Sequence, residues 1–171
     1  GGTVRLENGL YRCWHHGKGQ SGNFNLYSES KNGIEWETPI LGQYHDDTGS
    51  LENNIYLSRL AFRSGDLAPP SVNQDVHPSI LYSPNMGKGR TYTLLSYDYA
   101  RSGYAGYDGY FLAFSDDGIH WKQLHNEPVI DQSHRGPLLT DTSSNPTFWS
   151  EAEERYVCYL RDWIGDPKRP G

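Results

Sequence analysis
At 171 residues the chain is one domain's worth, and a formal net charge of −6 at pH 7 gives it no overall basic footprint for nucleic acid. No run approaches the roughly 18 apolar residues of a membrane-spanning helix. Much of the apolar content is aromatic, with 13 Tyr, 5 Trp and 5 Phe, and 19 Gly with 10 Pro supply turns, so the composition favours many short strands over a helical core.

The opening Gly1-Gly2-Thr3-Val4 carries neither an initiator Met nor a signal peptide and reads as cut from a longer chain. Thr3-Val4-Arg5-Leu6 and Leu10-Tyr11-Arg12-Cys13-Trp14-His15 are predicted strands, followed by a third at Phe24-Asn25-Leu26-Tyr27-Ser28. Asn32-Gly33 then predicts a hairpin turn, because both residues tolerate positive φ, and Trp36 falls on the returning strand. Ile55-Tyr56-Leu57 is a short apolar run inside a polar connection. Further strands are predicted at His77-Pro78-Ser79-Ile80-Leu81-Tyr82, at Tyr92 to Tyr99 and at Tyr110 to Phe114. Asp117-Gly118 predicts a second hairpin turn, with Trp121 beyond it, and the last strands fall at Asn145 to Trp149 and Tyr156 to Trp163. No segment has helical periodicity.

Two internal repeats organise these elements. Ser30-Lys31-Asn32-Gly33-Ile34-Glu35-Trp36 and Ser115-Asp116-Asp117-Gly118-Ile119-His120-Trp121 match at an offset of 85 residues (33 to 118, 36 to 121). A looser match at an offset of 64 relates Tyr92-Thr93-Leu94-Leu95-Ser96-Tyr97-Asp98-Tyr99 to Tyr156-Val157-Cys158-Tyr159-Leu160-Arg161-Asp162-Trp163. The implied unit is strand, turn, strand, loop, strand, Asx-Gly turn, strand, which is a four-stranded antiparallel sheet repeated as in the blades of a β-propeller. The expected fold is therefore all-β, a partial propeller. Blade one spans about 1–42, a connection 43–74, blade two about 75–130, and a third blade begins near 141.

The hairpin signature Ser-x-x-Gly-Ile-x-Trp resembles the repeats of the five-bladed propeller glycosidases of families 32 and 43, the invertase, levanase and arabinanase relatives. The matching pieces are Leu26 to Trp36, Asn53-Asn54-Ile55, His77-Pro78-Ser79-Ile80, Phe114 to Trp121 and Asp141-Thr142, in that order along nearly the whole chain. The hairpin is also similar to the Asp box of sialidases, without the residue that box carries between Asp and Gly. The resemblance implies five blades and about 300 residues at four strands per blade, so that roughly half of such a protein lies outside this chain. It also implies a secreted or periplasmic setting and a carbohydrate substrate, with no cofactor. An acid matching the family's first-blade catalytic Asp has no counterpart after Gly1 and is expected upstream.

Propeller glycosidases need carboxylates that converge on the central funnel. One protonates the leaving oxygen, and another attacks or activates water. Asp75 and Asp141 each stand shortly before a predicted innermost strand and form the expected catalytic pair, against the alternative that both merely close turns. His77, Arg161, Asn53 and Asn54 are the expected substrate-binding residues, through hydrogen bonds to hydroxyls or charge. Asp98 and Asp162 recur in one repeat slot, which suggests a structural role. His15 and His16 are adjacent on a strand, point to opposite faces and are not expected to share a metal ion. Asp46-Asp47 lacks the ligand spacing of a calcium loop. Cys13 and Cys158 are expected as buried free thiols. Two other readings stand beside the hydrolase: a non-catalytic carbohydrate- or protein-binding propeller, and a structural piece without activity of its own. A full sequence with an acid at each of three inner strands would favour the enzyme.

Overall fold
The computed structural model describes residues 2–19, 23–57, 78–83, 86–98, 109–124, 127–131 and 147–159. Among them the regular structure is antiparallel β, with eleven strands and no α-helix. The chain divides into two units. The first comprises Gly1–Asp75 with Ser115–Lys122, the second Val76–Phe114 with Gln123–Gly171.

In the first unit β1 (Gly2–Glu7), β2 (Leu10–Lys18), β3 (Asn23–Ser30) and β4 (Ile55–Leu57) form one sheet in the order β1-β2-β3-β4. A tight turn joins β1 to β2, with Asn8 at φ 49° and Gly9 at φ 79°. That turn fixes the register Val4↔Cys13 and Arg5↔Arg12, and β2 continues it into β3 with Arg12↔Glu29, Trp14↔Tyr27 and His16↔Asn25. Since directly opposed residues share a face, one face carries Arg12, Trp14, His16, Asn25, Tyr27 and Glu29. Trp14 and Tyr27 are fully buried there with ring centroids 5.6 Å apart. On β1 the alternation is plain: Thr3, Arg5 and Glu7 are half-buried, while Val4 and Leu6 face solvent.

The run Ile55-Tyr56-Leu57 is β4, buried at all three positions. It pairs with β3 through Asn25↔Leu57 and Leu26↔Ile55, so the ladder shifts register between Asn25 and Leu26. Before reaching β4 the chain touches β3 once more, at the single bridge Glu29↔Glu37. The strand expected after Trp36 is thus reduced to one bridge, and residues 38–54 intervene before the sheet is completed.

A second sheet holds β5 (Ser79–Tyr82), β6 (Tyr92–Asp98), β7 (Gly109–Ser115) and β8 (Lys122–Gln123) in that order, all in the second unit but for Ser115 and Lys122, and β9 (Ile130–Asp131) also pairs with β7. The outer position is again split in two, β8 first and β9 second. Tyr110↔Ile130 stands where Asn25↔Leu57 stands in the first sheet, at the same offset of 85 residues (25 to 110). Leu95, Tyr97 and Tyr110 form one buried cluster of the second unit, with Leu112, Ile130 and Cys158 packed against them. β6 is buried at every position from Tyr92 to Tyr97, and β7 at most of its positions.

β10 (Thr147–Ser150) and β11 (Arg155–Cys158) form a separate antiparallel pair in the same unit, and β10 lies beside β5. The looser repeat is visible in its packing. Tyr82 meets Tyr92 edge-on at 5.4 Å where β5 and β6 pair, and Trp149 meets Tyr156 edge-on at 5.1 Å where β10 and β11 pair. Tyr92 is buried, whereas Trp149 and Tyr156 are exposed.

Candidate functional site
The two Asx-Gly segments build the same turn bond for bond. In the first, Ser30 Oγ accepts from the Asn32 amide N–H (3.3 Å) and the Gly33 N–H (2.8 Å). Asn32 Oδ1 accepts from the Ile34 and Glu35 N–H groups, both at 2.9 Å. In the second, Ser115 Oγ accepts from Asp117 N–H (3.3 Å) and Gly118 N–H (2.8 Å), and Asp117 Oδ1 accepts from Ile119 and His120 N–H, both at 2.8 Å. Each serine hydroxyl donates to the Asx Oδ1, at 3.2 Å and 2.9 Å. The glycines stand at φ 75° and 73°, a region that costs a side-chain-bearing residue energy and glycine almost nothing. The motif's residue types follow from this: a hydroxyl for two N–H groups, an Asx oxygen for the next two, and a glycine where the chain turns left-handed.

Each turn adds a side-chain contact between the same two motif positions: in the first, Asn32 Nδ2 donates to Glu35 Oε2 at 3.2 Å. In the second, His120 Nδ1 lies 2.7 Å from Asp117 Oδ2, and both side chains are substantially exposed. Partial burial raises the Asp117 pKa, but the hydrogen bonds from the His120 side chain, the His120 and Ile119 amides and Ser115 outweigh it and hold the carboxyl down to about 2.

A charged cluster lies on the Trp14 face. Arg12 Nε donates to Tyr27 Oη at 2.6 Å, and Arg12 Nη1 lies 3.2 Å from Glu7 Oε2. Tyr27 Oη donates to Glu29 Oε1 at 2.8 Å. The guanidinium also sits 5.1 Å from the Trp14 ring centroid and 5.3 Å from that of Tyr27, within cation–π range. Arg12 Nη2 donates to the Asp117 carbonyl, and Trp14 Nε1 donates to the Gly118 carbonyl at 2.7 Å, so both side chains hold the Ser115–Lys122 turn. Burial pushes the Tyr27 phenol well above its ordinary value; Arg12 works against that and Glu29 adds to it. Tyr27 is therefore a neutral relay between a cation and an anion, and the cluster anchors a turn. Sequence reading did not single it out. The alternation Arg12/Trp14 and Tyr27/Glu29 on neighbouring strands is the signal that could have found it, once the β2–β3 register is known.

Asn53 and Asn54 lie side by side, but their amides close the chain on itself. Asn53 Nδ2 donates to the carbonyls of Tyr44 (2.7 Å) and Ser50 (2.8 Å), and its Oδ1 accepts from Ile55 N–H (3.0 Å). Asn54 Nδ2 donates to the Tyr27 carbonyl at 2.7 Å. Asp46 opens a local turn, its Oδ1 accepting from Thr48 N–H and Oγ1 and from Ser50 N–H, which lowers its pKa, the Thr48 hydroxyl acting most strongly. His15 and His16 sit opposite Leu26 and Asn25, on the two faces of the sheet, and His15 Nε2 lies 2.9 Å from Ser28 Oγ. Cys13 and Cys158 are half-buried free thiols, and burial raises the pKa of Cys13. Among the described residues no three His, Cys, Asp or Glu side chains are grouped to hold a metal ion.

Asp75, Asp141, His77 and Arg161 lie outside the described residues. Asp75 stands four positions before β5, and Asp141 six before β10. No family model, curated protein or solved structure matches the chain.

Proposed function
We propose that this chain is part of a carbohydrate-active β-propeller of the family 32/43 kind and contributes to the hydrolysis of glycosidic bonds in an oligo- or polysaccharide. The observation that carries the reading is the adjacency of β5 and β10. Each is the first strand of its own antiparallel group, and each follows an acid by a few residues, Asp75 in one case and Asp141 in the other. A propeller gathers such first strands around one axis, which would bring the two carboxyls to a common funnel. The recurrence of the Ser-x-Asx-Gly turn after β3 and β7 supports the same architecture, since a shared turn at a fixed place is what repeated blades require.

In this reading one of Asp75 and Asp141 donates a proton to the leaving oxygen. The other attacks the anomeric carbon or activates water, and the separation between them sets the stereochemical outcome. His77 and Arg161 would steady the acids or the sugar hydroxyls. Asn53 and Asn54 have a smaller part here, because their amides already bind backbone carbonyls.

The test is reducing-sugar release from a panel that includes fructans and arabinans, by the longest polypeptide that contains this chain. The expected result is turnover on one of them that falls by about 10³-fold or more in Asp141→Asn and in Asp75→Asn, in line with the loss of an acid–base group, while the far-ultraviolet circular dichroism is unchanged. Unaltered turnover in both variants would remove the pair from the chemistry. Sugar binding without turnover would favour the non-catalytic, carbohydrate-binding propeller.

A further inference from the structure
Asn25 breaks the pattern of its repeat. Its side chain is fully buried, and neither Oδ1 nor Nδ2 has a hydrogen-bond partner. Buried amides are nearly always satisfied, because leaving one unpaired forfeits the bonds it makes in water. At the equivalent place in the second sheet stands Tyr110, also buried, its ring packed edge-on against Tyr97 at 5.0 Å. One repeat therefore fills this slot with an aromatic ring, and the other with a smaller group that can donate twice and accept twice.

A second observation falls at the same residue. The β3–β4 ladder shifts register between Asn25 and Leu26, so that Tyr56 stands between the paired residues Ile55 and Leu57. Such an irregularity interrupts the regular exchange of backbone hydrogen bonds beside it. The side chain in need of partners and the interrupted ladder thus coincide, in a strand otherwise paired along its length.

We propose that Asn25 holds an internal water molecule in the first unit, bound to its amide and to the backbone at the β3–β4 irregularity. Full burial argues against a larger ligand, and a buried polar group of this kind commonly takes one water with about three hydrogen bonds. The water would take, on the face of the first sheet, the place that the Tyr110 ring holds on the second.

A crystal structure at about 1.5 Å resolution tests this directly. The expected result is an ordered water within about 2.7–3.2 Å of Asn25 Oδ1 or Nδ2 and of a backbone group of residues 55–57. A dry site, or a protein atom at that place bonded to the amide, overturns the proposal. Asn25→Leu gives a measurement that needs no crystal. It should lower Tm by about 3 °C or more, through loss of the water's bonds. A raised Tm would mean that the amide is an uncompensated burden, and would overturn the proposal equally.

Discussion

Replacing Gly118 with alanine imposes two separate costs, and Gly33 provides the control for one of them. Both glycines hold nearly the same positive φ, 73° and 75°, so either substitution places an L-residue in the left-handed region at a cost of about 1–2 kcal/mol. A Cβ on Gly33 would meet the Tyr11 ring at 3.5 Å, an ordinary contact. A Cβ on Gly118 would lie 2.7 Å from Trp14 Cζ2, too close to stand. Trp14 cannot move freely, being fully buried, bonded to the Gly118 carbonyl and covered by the Arg12 guanidinium. Forcing it aside is an overpacking event worth about 1–3 kcal/mol more. Gly33→Ala should therefore lose about 1–2 kcal/mol, and Gly118→Ala roughly 2–5. At about 2–4 °C per kcal/mol for a chain of this size, the two variants should differ in Tm by several degrees. Guanidinium titration followed by circular dichroism gives the same comparison as a difference in midpoint at constant slope. Equal losses in the two variants would refute the packing of Trp14 against this turn.

The hydroxyls of the turns make a second test: Ser30→Ala and Ser115→Ala each strip the acceptor from two N–H groups and should cost about 1 kcal/mol, read as a fall in Tm. Acid titration of stability probes Asp117. Its folded pKa lies below its unfolded one, so its contribution is complete above about pH 4 and is lost as pH falls through about 2; with the side chain half exposed, the loss should be no more than about 1 kcal/mol. Asp117→Asn, which copies Asn32, should keep the turn at neutral pH and remove that share of the acid dependence; a variant that unfolds at pH 7 would contradict the equivalence of the two turns. Tyr27→Phe should cost about 1–3 kcal/mol by separating Arg12 from Glu29 inside the sheet, and a change below about 0.5 kcal/mol would mean that the phenol is dispensable to the cluster.

The parts of the fold that could be read from the sequence are those that local chemistry dictates. Asn32-Gly33 and Asp117-Gly118 had to turn because of what Asx and Gly tolerate, and the runs before them had to be strands because Tyr, Phe and Leu line both faces. The outer strand was harder. Nothing local tells Glu37 to make one bridge and leave, or Ile55 to return seventeen residues after the departure at Thr38; that choice is made by the free edge of β3. Trp36 illustrates the consequence, being exposed where Trp121, in the same motif position, is half-buried. The candidate site was less legible still. An asparagine's amide suits a sugar hydroxyl and a neighbouring carbonyl equally, and Asn53 and Asn54 take carbonyls. Asn25 passed as one more strand residue, because its significance lies in what stands opposite it and in what stands at the matching place of the repeat.

The split outer position has a consequence for how such a protein can change in length. In each sheet the outer position is taken by two short pairings, separated by residues 38–54 in the first, while in the second Leu124 N–H bonds the Leu112 carbonyl and Val129 N–H the Tyr110 carbonyl. The longer detour binds largely to itself, through Leu41 to Asn53, Asp46 to Ser50 and Asn53 to Tyr44. Its two ends are set by β3, and its middle by its own bonds together with one from Gln43 Nε2 to the Ile119 carbonyl at 3.3 Å. The gap is thus a seam where sequence can be added or removed while the pairing on either side keeps its register. Loop closure penalises added length only logarithmically, so a graft at this seam would leave the sheet nearly as stable as before and give it a new surface.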